Sequence, residues 1–259
     1  MDVLFIGDVV GGPGRRGLAG AMPKLRELHD PDFVIVNGEN SAGGLGITEK
    51  TAADLFEIGA DVITTGNHVY RHREVYDYLD RTDRVVRPAN YPHANPGRGH
   101  TIVERDGTRV AVINLSGAVQ LKVARSPFHE VDAILERIAD EADVIVVDFH
   151  AEVTSEKVAM GWHLDGRVTA VFGTHTHVPT ADGRVLPGGT AYLTDAGMTG
   201  SRAGVIGVKR HQALESFVTQ MPVRFETAEE DVWVMGAVVR TREDGRAESI
   251  DQVLLPAPT

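Results

Sequence analysis

Five short apolar runs in this chain each end in residues able to ligate a metal ion or move a proton. Residues 3–6 lead to Asp8, 33–36 to Glu39-Asn40, 62–63 to Asn67-His68, 144–147 to His150, and 168–172 to His175-Thr-His177. In open α/β sheets the ligand site lies beyond the carboxyl ends of the strands, so five such strand ends are expected to converge on one edge. Each cluster alone has an ordinary explanation. Asp8 suits a turn or helix cap, Asn67-His68 after Thr-Thr-Gly suits a turn, and His150 suits a hydrogen-bonded core histidine. Glu39 resists that treatment, because a carboxylate directly after a buried strand is costly unless paired or metal-bound. His175 and His177 are the most specific pair. In an extended segment residues i and i+2 point the same way, so both imidazoles are expected to face one spot as metal ligands. Gly7, Gly38, Gly66 and Gly173 stand just before these clusters, where glycine permits tight turns and close backbone approach. Gly11-Gly12 and Gly43-Gly44-Leu45-Gly46 extend two of the loops. Neither matches G-x-G-x-x-G or a Walker loop, which argues against a dinucleotide or P-loop cradle.

The elements that must hold these residues alternate in type. Thr48 is a plausible N-cap, and Leu55 and Ile58 share a face, which predicts a helix over 48–58. Strand, helix and strand at this spacing imply βαβ units and a mostly parallel sheet. Runs 101–104 and 109–114 flank Asp106-Gly107, a hairpin signal, and runs 232–242 and 247–255 flank Asp244-Gly245 in the same way. A second helix is expected over 130–139. Runs 144–147 and 168–172 lack alternation, as in strands buried on both faces. No repeat, low-complexity tract or linker interrupts the chain. The expectation is an α/β protein with two packed β-sheets, mixed or mostly parallel, flanked by helices in a single domain over 1–259.

Bulk properties narrow the function. A chain of 259 residues can bury one full core. Its net charge of −11 repels a polyanion, so stable binding of a long nucleic acid is not expected. A small phosphorylated substrate fits, because bound cations reverse the local field. Cysteine is absent, which removes disulfides, thiolate ligands and a cysteine nucleophile. The remaining donors, His, Asn and carboxylates, suit Fe, Mn, Mg or Zn. The start MDVLFIGDVVGG lacks the basic region of a signal peptide, and no run of about 18 apolar residues exists, so neither a membrane span nor export is expected and the cytoplasm is the expected compartment. The base rate for such enzymes favours a symmetric homo-oligomer.

Taken in order, Gly7-Asp8, Gly38-Glu39-Asn40, Gly66-Asn67-His68, His150 and Gly173-Thr-His175-Thr-His177 resemble the motifs of calcineurin-like metallophosphoesterases. The similarity is closest to a bacterial branch assigned as 2′,3′-cyclic-nucleotide 2′-phosphodiesterases. The stretches Asn40-Ser-Ala-Gly-Gly-Leu-Gly, Asp148-Phe-His-Ala-Glu-Val-Thr-Ser-Glu-Lys and Leu186-Pro-Gly-Gly-Thr-Ala-Tyr-Leu-Thr-Asp195-Ala-Gly-Met also fit that branch. Two positions depart from the wider superfamily. Val10 stands where its first motif, Asp-x-His, has the imidazole, and Glu39 replaces the usual second-motif Asp. Oxygen in place of an imidazole makes that site harder.

The resemblance implies two metal ions per chain, Fe or Mn foremost, with Mg or Zn also compatible. One is held by Asp8, Glu39, Asn40 and His177, the other by Glu39, Asn67, His150 and His175, with Asp8 able to bridge. Such pairs lie about 3.5–4 Å apart, and a bridging hydroxide attacks phosphorus. His68, beside Asn67, is the implied general acid for the leaving ribose oxygen. The implied substrate is a small 2′,3′-cyclic nucleotide, opened to a 3′-nucleotide. His72, His93, His100, His129, His163 and His211 receive no role, although His93 and His100 lie where they could border the substrate. Three rivals remain: a phosphomonoesterase or protein phosphatase on the same site, a C–N bond metal hydrolase, and a slow enzyme that acts by binding a phosphorylated ligand. The late position of His-x-His in the chain counts against the second.

Overall fold

The computed structural model describes residues 1–258. Its strands are β1 (Asp2–Ile6), β2 (Asp8–Val9), β3 (Phe33–Asn37), β4 (Val62–Thr64), β5 (Val85–Val86), β6 (His100–Arg105), β7 (Thr108–Ser116), β8 (Val144–His150), β9 (Ala170–Thr174), β10 (Arg184–Val185), β11 (Ala191–Leu193), β12 (Met198–Ser201), β13 (Val232–Thr241) and β14 (Ala247–Pro256). Its helices are α1 (Gly11–His29), α2 (Glu49–Ile58), α3 (Val75–Arg81), α4 (Pro127–Ile138), α5 (Thr154–Leu164) and α6 (Arg210–Thr219). One sheet runs β2-β12-β13-β1-β3-β4-β5, with β14 also on β13; the other runs β10-β11-β9-β8-β7-β6. β1, β3, β4 and β5 are parallel, as are β7, β8 and β9, while β13 joins β1 antiparallel. β6 pairs antiparallel with β7 and β10 with β11, so both sheets are mixed, as expected.

Residue parity along each strand builds four layers. On β1, Val3 and Phe5 face the second sheet, while Leu4 and Ile6 face the layer of α1 and α2. On β8, Val144 and Val146 face the first sheet, while Ile145 and Val147 face α4 and α5. Phe5 and Phe172 stack across the interface with ring centroids 4.4 Å apart. The non-alternating runs are thus strands covered on both faces. No helix among the described residues is long and apolar enough to cross a membrane.

Local signals explain the elements foreseen. Thr48 caps α2 through the Thr51 N–H, Thr51 returns the bond, and Gly59 closes the helix in the left-handed region. Asp106-Gly107 turns β6 into β7 with both residues at positive φ. The helix expected over 130–139 begins earlier, at Pro127, where proline's fixed φ suits the first turn. The strand expected over 168–172 lies two residues later, at β9. Gly11-Gly12, expected as loop, instead opens the 19-residue helix α1. Packing overrides the poor helix propensity of Gly-Gly-Pro-Gly. A Cβ at Gly14 would come within 2.3 Å of the Thr199 carbonyl oxygen, so glycine lets α1 lie against β12.

Phe172 is fully buried in the central layer. Phe172→Ala is expected to lower stability in urea unfolding by about 3–5 kcal/mol. Val119→Ala, at a 48% exposed position, is expected to change it by less than about 0.5 kcal/mol.

Candidate active site

At the carboxyl ends of the strands the inter-sheet layer turns polar. The inward parity of β3, β4, β8 and β9 continues into Asn37, Thr64, Asp148 and Thr174, all fully buried. The Asp148 carboxylate accepts from Asn37 Nδ2 at 2.8 Å, from Thr174 Oγ1 at 2.7 Å, and from the Thr64 hydroxyl. Burial outweighs these bonds and raises its pKa to about 7. Asn37 also accepts the Glu39 N–H at 3.0 Å, which fixes the turn that delivers Glu39.

All eight residues singled out in the sequence surround this polar end. Asp8, on β2, accepts the His175 N–H at 3.1 Å through Oδ2. Glu39 Oε1 accepts the His68 N–H. Asp8 Oδ1 and Glu39 Oε2 are buried with no hydrogen-bond partner. Burial raises both carboxyl pKa values, that of Glu39 strongly. His150 Nδ1 lies 2.9 Å from Thr174 Oγ1, whose own proton goes to Asp148. Nδ1–H therefore donates to Thr174. Burial, then the charge of His175, holds the His150 pKa well below its usual value, so the ring is neutral. Its Nε2 lone pair faces Asn67 Oδ1 at 2.9 Å and His175 Nδ1 at 3.1 Å. His177 Nε2 lies 3.2 Å from Asn40 Oδ1 and 3.8 Å from Asp8 Oδ1.

Among the described residues, no three His, Asp or Glu side chains stand at metal-cage spacing; the donors contact one another instead. Their chemistry nonetheless fits cations. Two desolvated carboxylates carry unpartnered oxygens, and the lone pairs of His150 and Asn67 crowd a common region. Buried charge of this kind is tolerated when a metal compensates it. Gly66 makes room for this centre, because a Cβ there would lie 2.3 Å from the His150 ring.

The expectation of an extended His-Thr-His pair is overturned. β9 ends at Thr174, and His175 and His177 both adopt positive φ, 97° and 65°. One turns to His150 and the other to Asn40. Such backbone is strained for non-glycine residues and persists only where neighbours impose it. Thr176, between them, donates its hydroxyl to Asp195 Oδ2 at 2.6 Å, and the same oxygen receives Lys157 Nζ at 2.6 Å. Lys157 and Asp195 are both buried. In the sequence they stand only in flanking stretches, and nothing in their spacing links them.

A cleft of 270 Å³ opens onto Glu39, Asn40, His68, His175 and His177. His68 is half-buried, and burial, followed by the charges of Arg71 and His177, lowers its pKa. One wall is Gly43-Gly44-Leu45, braced where His72 Nε2 lies 2.9 Å from the Leu45 carbonyl oxygen. The other wall carries Ile206, Val208, Phe225 and Thr227. It is a small flap, with Lys209 N–H bonded to Glu226 O and Ala228 N–H to Gly207 O, each at 2.9 Å. Ile206 has φ 45°, and its carbonyl oxygen lies 3.0 Å from His177 Nδ1. No strand-end motif marks this flap in the sequence. His93 and His100 do not border the cleft: His93 pairs with Glu130 at 3.2 Å, and His100 sits in β6.

Comparison with known proteins agrees with the family resemblance carried by the motifs. Residues 4–253 match the family described as YmdB-like protein. The chain is 46% identical over 256 residues to the 2′,3′-cyclic-nucleotide 2′-phosphodiesterase of Bacillus subtilis (strain 168), covering 98% of this chain and 97% of that one. A hypothetical protein from Thermus thermophilus superimposes with TM-score 0.93 at 40% identity, over the full length of both. A novel phosphatase of Mycoplasma pneumoniae superimposes with TM-score 0.92 at 32% identity, covering 99% of this chain and 94% of that one.

Glu39 carries a buried, unpartnered oxygen. In chelator, Glu39→Gln is therefore expected to unfold at higher urea than the parent, by roughly 1–3 kcal/mol. Unfolding at equal or lower urea would show that the carboxylate is compensated without metal.

Proposed function

Because the chain belongs to the YmdB-like family, we propose that it is a metal-dependent phosphodiesterase that opens 2′,3′-cyclic nucleotides to 3′-nucleotides. The observation that carries this reading is the pair of buried carboxylates, Asp8 and Glu39, each with an unpartnered oxygen, facing imidazole and amide donors beside a small cleft. In this reading Asp8, Glu39, Asn40 and His177 would hold one ion and Glu39, Asn67, His150 and His175 the other. Iron or manganese is the proposed pair. When bound, the two ions neutralise phosphoryl charge and acidify water.

The chain's own residues do the rest. The Asp148–Thr174–His150 relay fixes the His150 tautomer, leaving Nε2 as donor atom. The Ile206 carbonyl does the same for His177 by accepting Nδ1–H. Burial disfavours the charged form of His68 in the free protein, so in this reading the anionic phosphodiester beside it favours protonation, and His68 then donates the proton that the 2′-oxygen needs. Water oxygen bonds to phosphorus and gives up one proton to solvent, the P–O2′ bond breaks, and the 2′-oxygen takes the His68 proton, leaving a 3′-monoester. A 270 Å³ cleft lies just below the usual range of about 300–1,000 Å³ for small-molecule sites, which supports a mononucleotide over a polymer.

Protein reconstituted with Mn²⁺ or Fe²⁺ is expected to convert 2′,3′-cyclic AMP to 3′-AMP, to lose this activity on chelation, and to hold two ions per chain by metal analysis. Asp8→Ala is expected to be inactive, and His68→Ala to lose roughly 10²–10⁴ in kcat while keeping its metals. Release of 2′-AMP would reassign the bond that is cut. Turnover of monoesters alone would replace the diesterase by a phosphatase. Protein that binds no metal would end the proposal.

The same proposal includes a symmetric homo-oligomer. Exposed apolar side chains gather on and just after α6, at Leu214, Phe217, Val218 and Met221, which are 53–80% exposed. Contiguous exposure of this kind marks an interaction surface. Light scattering is expected to give a multimer whose mass falls in Phe217→Asp with the melting of the subunit fold otherwise preserved. A monomeric parent protein would overturn this assignment.

A further inference from the structure

The cleft has two unlike ends. Its floor is the cluster of carboxylate, amide and imidazole donors. Its outer wall is largely apolar, built from Leu45 on one loop and Ile206, Val208 and Phe225 on the flap. Leu45, Ile206 and Phe225 stand 43%, 50% and 51% exposed. Phe225 is the sole aromatic residue of this wall. The two walls lie close together, since a Cβ added at Gly44 would come within 3.1 Å of Thr227 Cγ2. The flap is held directly after Phe225, by the backbone bond from Lys209 N–H to Glu226 O, by the Lys209–Glu226 ion pair, and by Gln212 Oε1, which accepts the Glu226 N–H at 2.8 Å. Phe225 therefore stands on a braced backbone, and its ring is presented to the cleft rather than to a core.

A phosphate alone has no use for such a wall. Resting on the cyclic-nucleotide reading above, we propose that this wall is a nucleobase subsite in which Phe225 stacks on the base while the phosphate lies against the donor cluster. Every base offers a π-face to an aromatic ring, so the subsite takes purines and pyrimidines alike. It makes nucleotide diesters, rather than small aliphatic diesters, the preferred class of substrate. It also joins selectivity to the metal centre, because the flap that carries Phe225 also carries the Ile206 carbonyl against His177.

Metal-loaded protein titrated with 3′-AMP and, separately, with inorganic phosphate tests this by calorimetry. Phe225→Ala is expected to weaken 3′-AMP roughly 5- to 100-fold, to leave inorganic phosphate binding as in the parent, and to raise KM for 2′,3′-cyclic AMP in parallel. Phe225→Tyr is expected to restore 3′-AMP binding. An unchanged melting temperature confirms that Phe225→Ala keeps the fold. Equal weakening of 3′-AMP and phosphate, or unchanged 3′-AMP affinity, overturns the subsite, as does failure of 3′-AMP to bind the parent protein. Phe225-dependent binding of 3′-AMP without turnover of 2′,3′-cyclic AMP leaves the subsite standing and removes the cyclic-nucleotide reaction instead.

Discussion

The carboxylate of Asp148 decides where this protein stops being an oily sandwich and becomes a site. It lies in the layer between the sheets, and its hydrogen-bond donors come from both of them, Asn37 and Thr64 on one side and Thr174 on the other. A buried carboxylate is tolerable only when its lone pairs are occupied. Those partners fix the height at which four strands must end relative to one another. The turns that follow, and the metal-competent side chains on them, inherit that alignment. His150 is the direct beneficiary, because the Thr174 hydroxyl that serves Asp148 also receives its Nδ1–H.

A second buried charge pair holds what the strands cannot. His175 and His177 occupy backbone conformations that an isolated peptide avoids. The Lys157–Asp195 pair, reaching Thr176 between them, keeps the loop in place. Pairs of this kind contribute little net stability against an apolar replacement. Here the benefit is conformational, since His175 is turned toward His150 and His177 toward the Asn40 amide.

The sequence made the donors visible because each follows an uninterrupted apolar run and because Glu39 had no comfortable alternative after a buried strand. It also made the layers visible through strand parity, capping at Thr48 and the two Asp-Gly turns. Three things were hidden, each for a physical reason. Helix α1 begins in residues with poor helix propensity and exists through its packing on β12 and β13. The direction of His175 and His177 depends on an ion pair whose partners are 38 residues apart. The flap carries neither a periodic pattern nor a strand-end motif. It is built from backbone bonds between segments that only the fold brings together.

β1 lies between β3 and β13, so the first strand of the chain gains one of its two neighbours only from residues 236–240. A chain still emerging from the ribosome can form the β3–β4 pairing early, but β1 retains an open edge until the final hairpin arrives. Contacts of such long sequence separation slow folding, and an open apolar edge recruits other strands. Asp8, two residues beyond β1, cannot be anchored sooner. Placement of Asp8 is thereby tied to arrival of the β13–β14 hairpin, and a chain without that hairpin exposes an apolar strand edge instead.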